Sequence, residues 1–173
     1  MSAVDKTPTN KNFLSPLNFT FVLKRSPHLN FFVQKINLPS ISIATYDQNT
    51  PLLPIPFAAG QLDFENLQVT FKVDEDLQNY LEVHNWIRAL AFPEKNEQYA
   101  ALSRKEKATG EWIKSDITLV IANGLKQPNY EITFYEAFPT IISSLDFETT
   151  DTDIDYITAT AVFRYAYYTI TKI

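Results

Sequence analysis

The sequence predicts a single folded domain of the mainly β, α+β class that carries one amphipathic helix. The chain has 173 residues, of which 45% are apolar and 14% aromatic, so it can bury a substantial core. Most of its apolar segments alternate with polar residues, which is the pattern of half-buried strands. In the stretch VTFKVDEDLQNYLEVHNWI, Val69–Ile87, the apolar period lengthens to about 3.6 residues, which indicates a strand followed directly by a helix.

Composition and charge exclude several classes of function. The 15 basic and 20 acidic residues give a net charge of −5, which argues against a nucleic-acid or anionic-membrane surface because such surfaces contact phosphate through Lys and Arg. The absence of cysteine excludes a disulfide framework, a thiolate zinc site and a cysteine nucleophile. The polar start MSAVDKTPTNKN is unlike a signal peptide, and the longest apolar run, ITLVIA, is too short to span a bilayer. We expect synthesis in the cytosol and no membrane association.

The chain is organised as one domain with a polar arm and a charged insert. Residues 1–16 contain Thr, Asn, Lys and two prolines without periodicity, which predicts an arm that is mobile unless a partner orders it. Residues 17–173 form the single predicted domain. Within it, residues 93–114 are charged and aperiodic, and we expect a solvent-exposed excursion that a neighbour could order.

Alternation predicts the strands in order along the chain. The first two are NFTFVLKR from Asn18 and NFFVQKINLP from Asn30, separated by the Ser26–Pro27 break. A short third strand runs from Ile41 to about Tyr46. Further strands are expected at Leu67–Val73, Ile117–Ile121, Tyr130–Phe138, Ile141–Phe147 and from Tyr156 towards Ile170. The last has apolar or aromatic residues on both faces, so we expect it to be covered on both sides.

Residues 47–60, DQNTPLLPIPFAAG, are predicted to project from the domain. The segment contains three prolines and lacks polar alternation. A strand inside a sheet cannot lose that many backbone donors, so the segment is either a projecting loop or a loose extended hairpin.

The helix is predicted over residues 74–92. Asp74, Glu75 and Asp76 stand where unpaired N–H groups and the helix dipole favour negative charge, so we interpret them as a helix start rather than an active site. Pro93 ends the helix. An apolar stripe along it comprises Leu77, Tyr80, Leu81, His84, Ile87 and Ala91, widened by Val83, Trp86 and Leu90. The predicted core contacts of the helix are Leu77, Leu81 and Ile87.

The acidic run ETTDTDID shares its spacing with the start of a calcium loop but fails the rest of that pattern. Tyr156 stands where the sharp turn requires glycine, and Val162 stands where a bidentate glutamate should close the cage. A solvated turn is the better interpretation. The carboxylates of the run are those of Glu148, Asp151, Asp153 and Asp155.

No catalytic or ligand-binding motif emerges. His84 lies on the apolar helix stripe and is interpreted as a packed, hydrogen-bonded side chain, whereas His28 follows a loop proline and should be exposed. The sequence has no G-x-S-x-G motif, and its three glycines leave no glycine-rich loop for a phosphate. No particular pair of carboxylates is indicated for acid–base chemistry. We therefore expect no enzyme activity, no metal and no cofactor.

Several short motifs follow one another along the chain, namely Leu38-Pro39, Ala59-Gly60, L-x-V-T-F-x-V-D-E-D from Leu67, Asn79-Tyr80, Trp86 and P-T-I-I-S-S-L-D-F from Pro139. Their order resembles that of the tail tube proteins of contractile-tailed bacteriophages, including the tube initiator on which the tube grows. The resemblance covers roughly Phe31 to Tyr168, although each motif alone is a weak packing or turn signature. The arm and the charged insert have no counterpart in it, so tube body and initiator both stay open.

This resemblance implies a small β-barrel or sandwich of mostly antiparallel strands with one flanking helix. It further implies hexameric rings that stack into a virion tail tube around a channel, through which DNA and the tape-measure protein pass without specific binding. Sheath, baseplate hub and adjacent tube proteins would be the partners. The expected contacts with the adjacent ring are Leu52, Leu53, Ile55 and Phe57. The channel-lining candidates are Glu131, Asp146, Glu148, Asp151, Asp153 and Asp155.

A second hypothesis comes from a different class of protein. Tyr165, Tyr167 and Tyr168 could form a stacking platform in a monomeric β-sandwich that binds a sugar or a peptide. Aromatic residues on a long strand more often belong to a core or a subunit interface. Rings or tubes in purified protein would favour the first hypothesis, and a compact monomer the second.

Overall fold

A computed structural model describes residues 12–91, 113–148 and 156–173, and these contain nine strands and two helices. Most of the predicted arm, most of the charged insert and the acidic residues 151–155 lie outside the described residues. The elements are β1 (Phe19–Leu23), α1 (Pro27–Phe32), β2 (Val33–Ile36), β3 (Ile41–Asn49), β4 (Pro54–Phe64), β5 (Leu67–Lys72), α2 (Gln78–Ala91), β6 (Ser115–Ala122), β7 (Pro128–Ile142), β8 (Thr158–Arg164) and β9 (Tyr167–Lys172).

The strands form one large sheet and one small sheet. Seven strands pair in the order β1-β6-β7-β8-β5-β2, with β9 alongside β7, and β3 and β4 form a separate two-stranded sheet. Every one of these pairs is antiparallel. The prediction of a mainly β fold with antiparallel strands is confirmed.

The large sheet packs around one hydrophobic core. Alternate side chains of β1, β5, β6, β7 and β8 point into it, as expected for strands with one buried face. Leu29 of α1 and both Val83 and Trp86 of α2 join the same cluster, so the helices help to close the core. The fully buried aromatic side chains are Phe71, Phe134 and Phe163.

β7 replaces two predicted strands. We expected separate strands at Tyr130–Phe138 and Ile141–Phe147, but a single strand of 15 residues begins at Pro128. It is irregular at Glu136, where φ is 55° and where the N–H donates to Asp116 Oδ1 at 3.0 Å. β7 pairs with β6 as far as Ala137 and with β8 from Phe138 onwards, so one irregular strand joins both halves of the large sheet.

The predicted final strand is interrupted between β8 and β9. Both parts nevertheless pair with β7 in the same register, since Phe138 faces Arg164 and Tyr135 faces Tyr167. At the break, the Ala166 N–H donates to the Tyr135 carbonyl at 3.0 Å. β8 and β9 therefore form one ribbon along β7 with a local break.

α1 occupies the beginning of the predicted second strand, so that prediction is wrong as far as Phe32. Ser26 precedes the helix and Pro27 lies in its first turn, where an N–H would have no helical partner. Asn30 ties the helix to β1, because its side chain accepts a bond from the Leu23 N–H at 2.8 Å and donates to the Leu23 carbonyl at 3.1 Å. Apolar alternation cannot reveal a polar contact of this kind.

α2 begins at Gln78, later than the predicted start at residue 74. Leu77 has φ of 57°, so the chain turns before the helix begins. Asp74 still contacts the helix start, because its carboxylate accepts a bond from the Asn79 N–H at 3.4 Å. Asn79 is itself buried and donates to the Lys72 carbonyl at 2.8 Å.

The buried face of α2 differs from the predicted one. Two predicted core contacts, Leu77 and Leu81, are 37% and 45% exposed, so that part of the prediction is wrong, while Ile87 packs at the margin of the core. The buried residues are Asn79, Val83, Trp86 and Ala89. Val83 and Trp86, which were predicted only to widen the stripe, lie at the centre of the buried face, so this face is rotated by roughly one residue, about 100°, from the predicted one. Asn79 and Trp86 face inward partly because each donates to a backbone carbonyl there.

Candidate functional site

The hairpin of β3 and β4 projects from the domain. Only residues 50–53 form its turn, and every residue from 41 to 49 and from 54 to 63 is exposed. A strand of nine residues such as β3 is about 30 Å long. Of the two alternatives for residues 47–60, a loop or an extended hairpin, the structure shows the hairpin.

Two prolines fit into β4 because of its pairing geometry. Pro54 lies opposite Asn49 and Pro56 lies opposite Asp47. Since proline has no N–H, these are non-hydrogen-bonded pairs, in which the backbone nitrogen points away from the partner strand. The prolines exclude a central strand, as predicted, but they are compatible with this edge position.

The hairpin carries two apolar patches on opposite faces. The stem patch, close to the domain, comprises Ile41, Ile43 and Leu62. The tip patch comprises Tyr46, Ile55 and Phe57 of the opposite face with Leu52 and Leu53 of the turn. The two patches are separated by a register shift between Ile43 and Thr45, near Gly60, whose φ of 76° suits a bulge.

An aromatic base, formed by Phe64, Phe134, Tyr165 and Tyr168, holds the hairpin where it leaves the domain. The Phe64 ring lies 6.0 Å from the Tyr165 ring and 5.8 Å from the Tyr168 ring. The Tyr165 hydroxyl donates to the Glu65 carbonyl at 2.8 Å, and the Tyr168 hydroxyl donates to the Pro39 carbonyl at 3.4 Å. Both strands of the hairpin are therefore tied to β9 and the segment before it.

The environment of Tyr165 disfavours its ionised form. Burial raises its pKa to about 12, and the neighbouring Tyr168 and Glu65 add to the effect. Because this value exceeds the ordinary pKa of 10.0, the neutral hydroxyl stabilises the folded state below pH 10. That contribution is lost as the pH rises from about 10 to about 12.

Tyr165→Phe is expected to lower the free energy of unfolding by about 1 kcal/mol at neutral pH, because the bond to Glu65 is lost. Between pH 10 and pH 12 the variant should lose less stability than the parent, since it lacks the group that titrates in this window. Urea unfolding at a series of pH values measures both effects. The control is Tyr167→Phe, at an exposed tyrosine, and an alkaline stability profile of Tyr165→Phe equal to the parent's would contradict the assignment.

The three tyrosines of the stacking hypothesis do not form one platform. Tyr165 and Tyr168 belong to the aromatic base and use their hydroxyls within the domain. Tyr167 is exposed and stacks on Tyr135, with ring centroids 4.7 Å apart. Two of the three tyrosines therefore belong to a contact within the domain, and the third belongs to an aromatic pair on the surface.

Of the channel-lining candidates, the three that the structure describes are not brought together. Glu131 is half-buried on the face of β7 that points away from the core, opposite Val120 of β6 and Thr171 of β9. Asp146 and Glu148 are exposed beyond the other end of β7. The candidates Asp151, Asp153 and Asp155 lie outside the described residues.

The histidines show no catalytic arrangement. His28 is exposed, as predicted, and its Nδ1 lies 2.5 Å from Glu82, which raises the pKa of the imidazole. His84 packs on the Tyr80 ring at 6.3 Å, but its buried Nδ1 has no hydrogen-bond partner in the described chain, contrary to our expectation. Within residues 12–91, 113–148 and 156–173, no three acidic, histidine or cysteine side chains cluster as metal ligands. The helices of the same ranges are too short or too polar to span a bilayer.

Several solved structures share this fold. A chain in the tube-terminating cap of the anti-feeding prophage has a TM-score of 0.63 and 16% identity, over 100% of both chains. A chain in the extended sheath–tube complex of the extracellular contractile injection system PVC has a TM-score of 0.60 and 15% identity, over 100% of this chain and 99% of that chain. A chain in the anti-feeding prophage baseplate has a TM-score of 0.55 and 12% identity, over 88% and 90%.

Sequence comparison identifies the family. No curated protein matches the sequence. The family model for the phage tail tube protein, in contrast, matches residues 2–171, which is nearly the whole chain. The match includes the hairpin, its aromatic base and both helices. The resemblance inferred from the order of motifs is thereby confirmed, and the chain belongs to the phage tail tube protein family.

Proposed function

We propose that the chain is a non-enzymatic structural subunit that forms stacked hexameric rings around a channel for DNA and a tape-measure protein. The observation that carries this proposal is the hairpin of β3 and β4, which exposes large apolar side chains on both faces. Such patches mark interaction sites, and a subunit with several neighbours buries them on assembly. Membership of the tail tube family supports the same function.

The tip patch is proposed to contact the adjacent ring. Its predicted contacts Leu52, Leu53, Ile55 and Phe57 are 96%, 63%, 43% and 41% exposed. They lie at the end of the hairpin that is farthest from the aromatic base. Because the base fixes both strands at the domain, the tip can meet a neighbour in a defined position with little loss of conformational freedom.

Acidic side chains are proposed to line the channel. A channel surface of like charge repels phosphate, and DNA then slides without being retained. Every exposed Lys or Arg would instead be repeated around each ring and along the stack, which turns weak contacts into strong retention. The proposed lining groups are Glu131, Asp146 and Glu148, together with Asp151, Asp153 and Asp155.

Glu131→Lys combined with Asp146→Lys is expected to leave assembly largely intact and to make assembled tubes retain DNA at low salt. The backbone hydrogen bonds that pair the strands of the subunit do not involve these side chains. Retention is measured by co-sedimentation of tubes with duplex DNA. The matched control is Glu75→Lys with Asp76→Lys, which changes the net charge equally before α2. DNA retention no greater than the control's would show that Glu131 and Asp146 do not lie on the channel surface.

Two ring positions fit this function, namely the tube body and the initiator ring at the baseplate. In either position the subunit belongs to the tail of the virion, beside tube, sheath or baseplate hub proteins. Negative-stain microscopy and light scattering of the purified protein test the proposal, and we expect rings or tubes. A compact monomer at all concentrations would contradict it and would favour the sugar- or peptide-binding hypothesis.

A further inference from the structure

We propose that Asn123 is a site of spontaneous covalent modification, at which the side-chain amide is converted through a succinimide into a mixture of aspartate and isoaspartate. The site is the turn between β6 and β7, where Asn123 is followed by Gly124. The inference goes beyond the proposed tube function and does not depend on it, because the reaction needs only this turn and water.

Asn123 is the one asparagine of the chain that precedes a glycine. The reaction begins when the backbone nitrogen of the following residue approaches the Cγ atom of the asparagine. A side chain on that residue obstructs the approach, and glycine has none. Every other asparagine precedes Leu, an aromatic residue, Lys, Thr or Glu, so we expect the reaction to be selective for Asn123.

The backbone nitrogen of Gly124 is available for this attack. The turn is closed by the Lys126 N–H, which donates to the Asn123 carbonyl at 2.9 Å, whereas the Gly124 N–H donates to no acceptor among the described residues. Gly124 is exposed, so water can take up the proton that its nitrogen loses. The attack therefore requires no backbone hydrogen bond of this nitrogen to break.

The side-chain oxygen of Asn123 is held by two backbone donors. Oδ1 accepts a bond from the Leu125 N–H at 2.9 Å and another from the Gln127 N–H at 3.0 Å. When the Gly124 nitrogen adds to Cγ, negative charge develops on Oδ1, and donors that are already in place stabilise it. The same bonds keep the side chain folded over the turn, so Cγ stays close to the backbone that attacks it.

The chemical steps balance with water as the only co-reactant. The Gly124 nitrogen forms a bond to Cγ of Asn123, and the bond between Cγ and Nδ2 breaks. The proton of the Gly124 nitrogen passes through water to the leaving group, which departs as ammonia. Water then opens the succinimide at Cγ, which gives aspartate, or at the backbone carbonyl carbon, which gives isoaspartate. Either product replaces a neutral amide by a carboxylate.

Isoaspartate at position 123 would weaken the attachment of the chain that precedes β1. The Asn18 side chain donates to the Asn123 carbonyl at 3.1 Å, and the Ala122 N–H donates to the Asn18 carbonyl at 2.9 Å. In isoaspartate the main chain runs through the former side chain, which lengthens the turn by a methylene group. We therefore expect residues 12–18 to be held less firmly in the modified protein.

Incubation of the folded protein in warm, mildly alkaline buffer tests the proposal, and peptide mapping by mass spectrometry is the readout. Conversion should occur at Asn123 before any other asparagine. Both aspartate and isoaspartate should form, and electron-transfer fragmentation distinguishes them. Ion-exchange chromatography of the intact protein should show a new, more acidic species.

Gly124→Ala is the matched variant. A Cβ atom at Gly124 would meet no atom within 4 Å, and the φ angle of Gly124 lies outside the left-handed region, so alanine fits the turn. The added methyl group obstructs the approach of the nitrogen to Cγ and should slow the conversion about tenfold or more.

Several results would each overturn the proposal. They are an amide at position 123 that converts no sooner than the other asparagines, an unchanged rate in Gly124→Ala, and formation of aspartate without isoaspartate. The last result would show direct hydrolysis of the amide in place of a succinimide. Failure of the protein to form rings would contradict the proposed function and would leave this measurement unaffected, so the two failures are distinguishable.

Discussion

Trp86→Ala is expected to lower the free energy of unfolding by about 3–5 kcal/mol, because it empties the centre of the contact between α2 and the core. Trp86 is only 3% exposed, and its ring lies 6.3 Å from the Phe163 ring. The indole N–H donates to the Ile113 carbonyl at 3.0 Å, so the substitution also removes the donor of that carbonyl. The Arg25 guanidinium lies 4.8 Å from the ring centroid and loses a cation–π contact.

Thermal unfolding measures this loss. For a chain of this length, 1 kcal/mol corresponds to roughly 3 °C, so Tm should fall by about 10 °C. Leu81→Ala is the matched control, because Leu81 is on the same helix but is 45% exposed. It should cost less than about 1 kcal/mol. A larger loss of stability for Leu81→Ala than for Trp86→Ala would show that the predicted face of α2, and not the observed one, is buried.

The existence of α2 followed from the sequence, but its buried face followed only in part, because Val83 and Trp86 were predicted at the edge of the apolar stripe and lie at the centre of the buried face. The change of period after Val73 and the stop at Pro93 depend on local pattern, which is the information that a single sequence carries. The orientation depends on Asn79 and Trp86, whose inward donors pair with carbonyls of β5 and of residue 113. A prediction from apolar residues alone places asparagine on the exposed face of the helix. The sequence does not show which backbone carbonyl a buried asparagine side chain will bond to.

The alternating character of most strands was predictable, but their number and continuity were not, since β4 was foreseen only as one of two alternatives, two predicted strands form the single β7, and the predicted last strand is divided into β8 and β9. The predicted gap at residues 139–140 is absent, since Pro139 lies within β7 next to a register shift that accommodates it. Tyr167 and Tyr168 are adjacent aromatic residues, and this break in alternation could have indicated the interruption between β8 and β9. Alternation describes one strand at a time, whereas these features follow from which strands pair.

The hairpin shows the same division between local and tertiary information. Its projection was inferred from three prolines and the lack of polar alternation, both of which are visible in the sequence. Its aromatic base was missed, because Phe64 and Tyr165 are far apart in the chain and meet only in the fold. The base gives the hairpin a fixed direction, and the proposed contact through the tip patch depends on this fixed direction.

Leu53→Ser combined with Ile55→Ser is expected to prevent tube formation while the subunit stays folded. The two side chains are 63% and 43% exposed, so their removal takes little from the core. If the adjacent ring buries this exposed part, the loss is about 2 kcal/mol per subunit. That corresponds to a roughly thirtyfold higher concentration for assembly, and the effect is multiplied by the repeated contacts of a ring.

The measurement compares tube length and the concentration for assembly by negative-stain microscopy and light scattering. Gln48→Ser with Gln61→Ser is the matched control, because it alters two exposed side chains of the same hairpin without removing an apolar group. Thermal unfolding should be nearly unchanged in both variants, since surface substitutions usually change stability by less than about 0.5 kcal/mol. If tubes of the Leu53 and Ile55 variant keep the parent's length and salt resistance, the tip patch does not join adjacent rings, and the stacking contact must lie elsewhere on the subunit.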